Sequence, residues 1–408
     1  MHRRQFLNLA TGALLSGVSW RLWAAPSGGS NARFILVFLR GGYDALSALV
    51  PYNEPFYYEV RPNIAIPAPS PGKTDTVIAL DERWGLHPAL QETILPLYEA
   101  KQVVFVPFAG TAFVSRSHFQ AQDWLEFGHS PGSIPSHSSG FLNRLLKCLR
   151  REQSQATAIS FTSALPPILR GSVQVANSPI TVPQRAGVDA NREELILAMY
   201  QGHALEPLVR DGIGLRREIS KELQEEMQSA SRGALPAKGF ALQAARIGRL
   251  LRERPEYRVG FIELGGWDTH AAQGNAQGSL SRQLHGLGEG LGVLAGSLGP
   301  TWKNTVVAVV SEFGRTFREN GSKGTDHGHG STLWLLGGGI SGGVIYGEQD
   351  RLRESHLHQN RDVPVLNEYR AVLGGMFQGI YGLKTQDLRY VFPGLPRNGS
   401  VLVGQNLL

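Results

Sequence analysis

Apolar residues in this chain gather in short unbroken runs more than in strict alternation. Phe34–Leu39, Val103–Phe108, Val259–Leu264, Thr305–Val310 and Thr332–Leu336 are almost free of charge. Runs of that length predict strands buried on both faces, as in a parallel sheet. Ala158–Phe161 and Val173–Ala176 read as shorter strands flanking Pro166-Pro167. Between the runs the apolar spacing lengthens to the helical period. Asp81–Tyr98 carries Leu90, Ile94, Leu95 and Leu97. Ser117 opens a helix through Trp124 and Phe127, and Gly140–Arg151 is amphipathic. Lys238–Arg254 aligns Ala241, Ala244, Ile247, Leu250 and Leu251, and Leu280–Leu298 is a long helix. Strands alternating with helices predict an α/β fold: a doubly wound, mostly parallel sheet with helices on both faces. Asn191–Tyr200 and Pro207–Ser229 are helical and charged on one face, so about 190–235 reads as a helical insertion or cap. Residues Ser130–Ser139, rich in Ser, Pro, Gly and His, read as an exposed loop.

The first residues do not fit this pattern. Arg3-Arg4-Gln5-Phe6-Leu7, a mildly apolar stretch to Trp20 and the small residues Ala24-Ala25 before Pro26 read as a twin-arginine export signal over residues 1–25. That stretch is broken by Asn8, Thr11, Gly12, Gly17 and Arg21, too polar for a stable membrane span. A periplasmic or secreted protein is expected, with a single domain over 31–408. Removing Arg3, Arg4 and Arg21 lowers the formal charge from +6 to +3, which argues against a nucleic-acid partner. The lone Cys148 cannot form an internal disulfide, so the fold must rest on its core.

Candidate chemistry sits where the apolar runs end. Glu312 follows Thr305–Val310, and Asp326, His327 and His329 come soon after. Asp268 and His270 follow Val259–Leu264, and Asp44 follows Phe34–Leu39. Asp268 and His270 are two apart, so an extended chain points both the same way. Carboxylates and imidazoles at several strand ends are what a divalent metal requires. The plainer alternatives are a cap at Asp268, an Arg315 or Arg318 salt bridge at Glu312, and an ordinary turn at Asp44. Ser117 is the candidate nucleophile at a helix start, with Arg116 and His118 placed to contact an anionic substrate; a plain N-cap serine is the alternative. His87, before Pro88 at a helix start, reads as structural or peripheral. No glycine segment matches a dinucleotide fingerprint, and no G-x-S-x-G elbow is present.

Taken together, Arg3-Arg4, Leu39-Arg40-Gly41-Gly42-Tyr43-Asp44, Gly85-Leu86-His87-Pro88, Arg116-Ser117-His118-Phe119, Gly266-Trp267-Asp268-Thr269-His270, Ser311-Glu312-Phe313-Gly314-Arg315 and Thr325-Asp326-His327-Gly328 resemble a secreted family, domain of unknown function 1501. The match runs from about Arg33 to Gly347. The resemblance implies a sulfatase-like fold related to the alkaline phosphatase superfamily, with metals at the carboxyl ends of the strands. It implies that Asp44 is the first metal acid, Ser117 the nucleophile, Asp268 and His270 ligands of one metal, Glu312 the aspartate of an Asp-His pair, and His327 or His329 the late metal histidine. Two features depart from that pattern. Glu312 is followed by Phe313, not histidine, so one site lacks a ligand or borrows Asp326. Neither Cys148 nor Ser117 has the C-x-P-x-R context of a formylglycine sulfatase.

The expectation is an exported metal-dependent hydrolase of phosphate or sulfate esters, acting through Ser117. One or two ions (zinc, manganese or calcium) would be held by Asp44, Asp268, His270, Glu312, Asp326, His327 and His329. Its partners would be an anionic small-molecule or polysaccharide ester and the twin-arginine export machinery. Transferase or mutase chemistry would use the same site. The altered Glu312-Phe313 pair motivates a reading of another class, a non-catalytic envelope binding or assembly protein.

Overall fold

The computed structural model describes residues 31–130, 137–179, 190–214 and 239–395. The export signal, residues 215–235 of the expected insertion and residues 131–136 of the expected loop lie outside the described residues. Within the insertion, Ala190–Tyr200 and 206–214 are helical.

A nine-stranded sheet forms the centre. Its strands are β1 (Arg33–Leu39), β5 (Val103–Gly110), β6 (Thr157–Ser160), β7 (Ala176–Asn177), β8 (Tyr257–Leu264), β9 (Thr305–Val310), β10 (Ser331–Leu336), β11 (Val344–Ile345) and β12 (Asn367–Glu368). The order is β11-β5-β10-β9-β1-β8-β6-β7, with β12 also paired to β5. β1 lies between β9 and β8, parallel to both. Every residue of β1 is buried, which is why its sequence shows no polar alternation. β10 runs antiparallel to β5 and β9. No described helix separates β9 from β10, so the chain turns at the carboxyl edge and must run back. A three-stranded antiparallel sheet, β2 (Leu49–Val50), β4 (Gly85–Leu86) and β3 (Ile78–Ala79), lies beside the main one.

Helices cover both faces. Ile35, Val37 and Leu39 of β1 pack in one apolar core with Ala244, Ile247 and Leu251 of the helix Phe240–Glu253 and with Leu284, Leu287 and Leu291 of Ser279–Leu298. Phe34, Leu36 and Phe38 face the other core, with Leu142, Leu145 and Leu146 of Phe141–Leu149 and Val372, Leu373 and Met376 of Tyr369–Tyr381. The period-two geometry of a strand divides β1 between the two cores.

Two local expectations fail. Asp81–Tyr98 is not one helix: it holds β4, a 3-10 turn at Pro88–Leu90 and a short helix at Leu95–Glu99. Pro88 and Pro96 lack the N–H that a helix interior needs and instead sit at element starts. Val173–Ala176 narrows to a strand at Ala176–Asn177. Among the described residues no helix is long and apolar enough to cross a membrane.

Candidate metal centre

Three loops leave the carboxyl edge of the sheet side by side, after β1, β8 and β9. Gly41 has φ +124°, and a Cβ there would lie 2.7 Å from the backbone N of Asp268. Only glycine allows the β1 loop so close to the β8 loop. The Gly41 N–H then donates to Glu312 Oε1 in the β9 loop at 2.9 Å.

The helix His118–Phe127 brings its first turn over this edge. His118 Nδ1 donates to Glu312 Oε1 at 2.8 Å, and Gln122 Nε2, one turn along, donates to the same oxygen at 3.0 Å. Burial alone would raise the Glu312 carboxyl, but the His118 and Gln122 bonds prevail and hold it below the usual range. Reciprocally, the bond to Glu312 raises the His118 imidazole.

The far nitrogen of His118, Nε2, is buried and has no hydrogen-bond partner. It lies 3.4 Å from Asp268 Oδ2. Asp268 Oδ1 lies 2.9 Å from His270 Nε2 and 3.1 Å from His327 Nε2, and these two nitrogens are 3.0 Å apart. One ligand atom each from His118, Asp268 and His327 falls within 4.8 Å of the others.

The opposite edge of each ring is anchored. His327 Nδ1 donates to the Arg116 carbonyl at 2.8 Å. His270 Nδ1 faces Asp326 Oδ1 at 3.3 Å, which also accepts from Asn320 Nδ2 at 3.0 Å. With Glu312 behind His118, every Nδ1 points at an acceptor and carries the proton. A ring with its proton on Nδ1 turns its Nε2 inward, where a neutral imidazole presents a lone pair. Imidazole nitrogens this close to one another and to a carboxylate need positive charge among them, as protons or as a cation. A proton bridges at most two of these atoms; a divalent cation can meet His118, Asp268 and His327 at once, with His270 Nε2 beside them at 2.9 Å from Asp268 Oδ1. Imidazoles backed by carboxylate or carbonyl acceptors are the arrangement that orients metal ligands.

Asp268 is partly exposed. Burial pushes its carboxyl up, but the hydrogen bond and charge of Arg315 dominate and hold it ionised. Arg315 is buried and bonds Asp268 Oδ1. It also donates to the carbonyls of Gly41 at 2.6 Å, Trp267 at 3.2 Å and Thr325 at 3.1 Å. It thus joins the β1 loop, the β8 loop and the segment carrying His327. Burial lowers the His327 imidazole, which favours its neutral form.

Of the residues expected from sequence, the fold brings together His118, Asp268, His270, Glu312, Asp326 and His327. Glu312 and Asp326 stand behind the rings, where their oxygens serve His118 and His270. Asp44 is separate. It is fully buried, and Arg61 grips its two oxygens at 2.7 and 3.1 Å. Gln273 Nε2 donates to its Oδ2 at 2.8 Å and Ser47 Oγ at 2.7 Å, so Asp44 has no lone pair aimed at the histidines. His329 also turns away, its ring 4.8 Å from that of His358, and burial pushes it down to about 4. Ser117 is the N-cap of the helix, its hydroxyl accepting from Gln120 N–H at 3.5 Å. Arg116 is half exposed, with one guanidinium nitrogen 3.9 Å from Asp362. His87 is a buried cap, accepting from Ala89 N–H at 3.0 Å and pushed down to about 4 by burial.

Sequence reasoning missed Gln122, Arg61, Gln273, Asn320 and the role of Arg315. Only Asn320 left a signal, as the Asn-Gly of a tight turn: its side-chain oxygen accepts from Ser322 and Gly324 N–H. Arg315 pairs with Asp268 rather than Glu312, and Arg318 reaches Glu354 at 2.7 Å.

Comparison with known proteins gives one family. The model described as Protein of unknown function (DUF1501) matches residues 31–391. No curated protein matches. Among the solved chains that match is one titled "Crystal structure of Ps i-CgsB in complex with k-i-k-neocarrahexaose". It is 11% identical, with a TM-score of 0.39, covering 88% of this chain and 74% of that one.

Proposed function

This chain belongs to the DUF1501 family, and we propose that it is an exported, metal-dependent hydrolase of phosphate or sulfate esters on an alkaline phosphatase-like frame. The observation that carries the reading is the convergence of His118, His270 and His327 Nε2 on the Asp268 carboxylate, with every Nδ1 tied from behind. A divalent cation on those four groups would supply Lewis acidity to an ester oxygen. Three imidazoles and one carboxylate suit zinc or manganese.

The protein's own groups then have distinct tasks. Glu312, Asp326 and the Arg116 carbonyl fix the imidazoles, so no ring must reorient during reaction. Ser117 opens a ten-residue helix one position before His118, where free N–H groups favour an anionic oxygen. Its hydroxyl is the proposed nucleophile: its oxygen bonds the ester phosphorus or sulfur as the bond to the alcohol oxygen breaks. The hydroxyl proton passes to water and the departing alkoxide takes a proton from water. A further water then cleaves the seryl ester to free the anion and restore the hydroxyl. The exposed Arg116 guanidinium beside it receives the negative group. The substrate is an anionic small-molecule or polysaccharide ester, and the twin-arginine start takes the protein to the periplasm or beyond it.

The test is elemental analysis of purified protein together with turnover of an aryl phosphate and an aryl sulfate. We expect about one zinc or manganese per chain and measurable cleavage of one ester. Ser117→Ala should retain the metal and lose at least about a thousandfold in kcat, the scale of nucleophile removal. Metal-free, inert wild-type protein would overturn the reading. Full turnover by Ser117→Ala would remove the serine from it.

A further inference from the structure

We propose that Gln273, aimed by Asp44, is a positioning residue that holds the two ligand-bearing loops of the metal centre in register. The inference rests on the cation site proposed above and deepens it. Gln273 is fully buried, and every polar atom of its amide is engaged. Its Nε2 donates to Asp44 Oδ2 at 2.8 Å. Its Oε1 accepts from the Thr269 hydroxyl at 3.0 Å and from the Thr325 hydroxyl at 3.3 Å.

These two threonines are set among the ligands. Thr269 lies between Asp268 and His270, and Thr325 directly precedes Asp326 and His327. One amide oxygen therefore bridges both ligand-bearing loops. The backbone runs beside the bridge: Thr325 N–H donates to the Thr269 carbonyl at 3.1 Å, and Gln273 N–H to the Lys323 carbonyl at 3.0 Å.

Asp44 decides which way the amide faces. A carboxylate can only accept, so it selects the NH2 end of Gln273 and leaves the oxygen for the threonines. Asp44 itself is held by Arg61 and Ser47. The chain of contacts runs Arg61, Asp44, Gln273, then Thr269 and Thr325, and it ends one residue short of ligand-type side chains in both loops. An acid at a strand end, read from sequence as a ligand, thus acts on the centre from behind. Arg315 and Asn320 also tie the two loops together, but the amide is the anchor shared by Thr269 and Thr325, and without it the separation of His270 and His327 is held less firmly.

Cobalt(II) is the probe, because its visible absorption reports ligand geometry without any substrate. Metal-free protein and Gln273→Leu are titrated with cobalt(II), and amide hydrogen exchange is followed without metal. We expect Gln273→Leu to bind cobalt at least about tenfold more weakly, the scale seen when groups behind metal ligands are removed. Its bound-state absorption should change, and exchange should quicken in both 266–272 and 322–329. Folded Gln273→Leu with wild-type cobalt affinity and wild-type exchange in both loops overturns the inference. Should Gln273→Leu fail to fold, Thr269→Val and Thr325→Val each remove half of the bridge, and wild-type behaviour in both overturns it equally. If wild-type protein ignores cobalt, the cation reading fails, and the exchange data alone then decide the positioning role.

Discussion

Asp44 and Asp268 end neighbouring strands of one sheet, a few residues past the apolar runs of β1 and β8. Asp44 is closed off: guanidinium, amide and hydroxyl occupy its oxygens, and no water reaches it. Asp268 is partly open, and its oxygens meet imidazole nitrogens whose lone pairs need a positive charge. The two acids have the same chemistry and the same place in the topology. What separates them is where the nearest arginine points. Arg61 covers both oxygens of Asp44, whereas Arg315 bonds one oxygen of Asp268 and spends its other N–H groups on carbonyls. A carboxylate at a strand end becomes a ligand or a girder according to that difference.

The contrast breaks most visibly through Asp44. Asp44→Ala leaves the buried Arg61 charge without its partner, and removing one side of a buried pair costs about 3–5 kcal/mol. Urea unfolding at neutral pH should show that loss. The acid limb gives a second reading. Burial works against the Asp44 carboxylate, but the Arg61 charge and bonds prevail and depress its folded value. A depressed acid contributes stability that is present above its unfolded pKa of about 3.9 and is lost as pH falls below that toward the folded value. Wild type should therefore lose stability steeply below about pH 4, and Asp44→Ala less steeply. Parallel acid limbs would mean that Asp44 is not the girder described.

Asp268 should answer differently. Asp268→Asn keeps an acceptor for Arg315 and sits partly in solvent, so unfolding should shift by no more than about 1 kcal/mol. Cation affinity should fall by at least about a hundredfold, since one of four ligands is a large fraction of a site worth roughly 10–16 kcal/mol. Competition with a chromophoric chelator measures it. Equal loss of stability in Asp44→Ala and Asp268→Asn would erase the distinction between the two acids.

The same two residues mark how far the sequence could be read. The unbroken apolar runs identified the central strands, because strands buried on both faces cannot hide their composition. The strand ends point to the right edge of the sheet and to Asp268, His270, Glu312, Asp326 and His327, but equally to Asp44 and His329, which fold away from them; His118, read beside Ser117 as a contact for an anionic substrate, instead faces Asp268 and His327. What the chain did not disclose is which group stands in front of which. Arg61 lies in a segment with no motif, and Gln273 looks like any loop glutamine until Thr269 and Thr325 fold onto it. The helix Tyr369–Tyr381 escaped notice because Gly374, Gly375 and Gly379 weaken its propensity, yet Val372, Leu373 and Met376 hold it in the core. Long-range partners decide roles, and pattern reading along the chain does not see them.

Glu312 supplies the finest test, because it touches the centre only through His118. In Glu312→Gln the Gly41 and Gln122 donors keep a neutral acceptor, so the fold should persist. The His118 imidazole loses the carboxylate bond that is the largest cause of its raised pKa. An NMR titration of metal-free protein should then show the His118 resonance titrating at lower pH than in wild type. Cation affinity should fall about 10- to 100-fold, the range for carboxylates behind metal histidines, and so by less than in Asp268→Asn. Raising the pH should not restore it, because the defect lies in ring orientation and basicity rather than proton competition. A loss in Glu312→Gln as deep as that in Asp268→Asn would instead make Glu312 a direct ligand, and the division between acids in front of the rings and acids behind them would have to be redrawn.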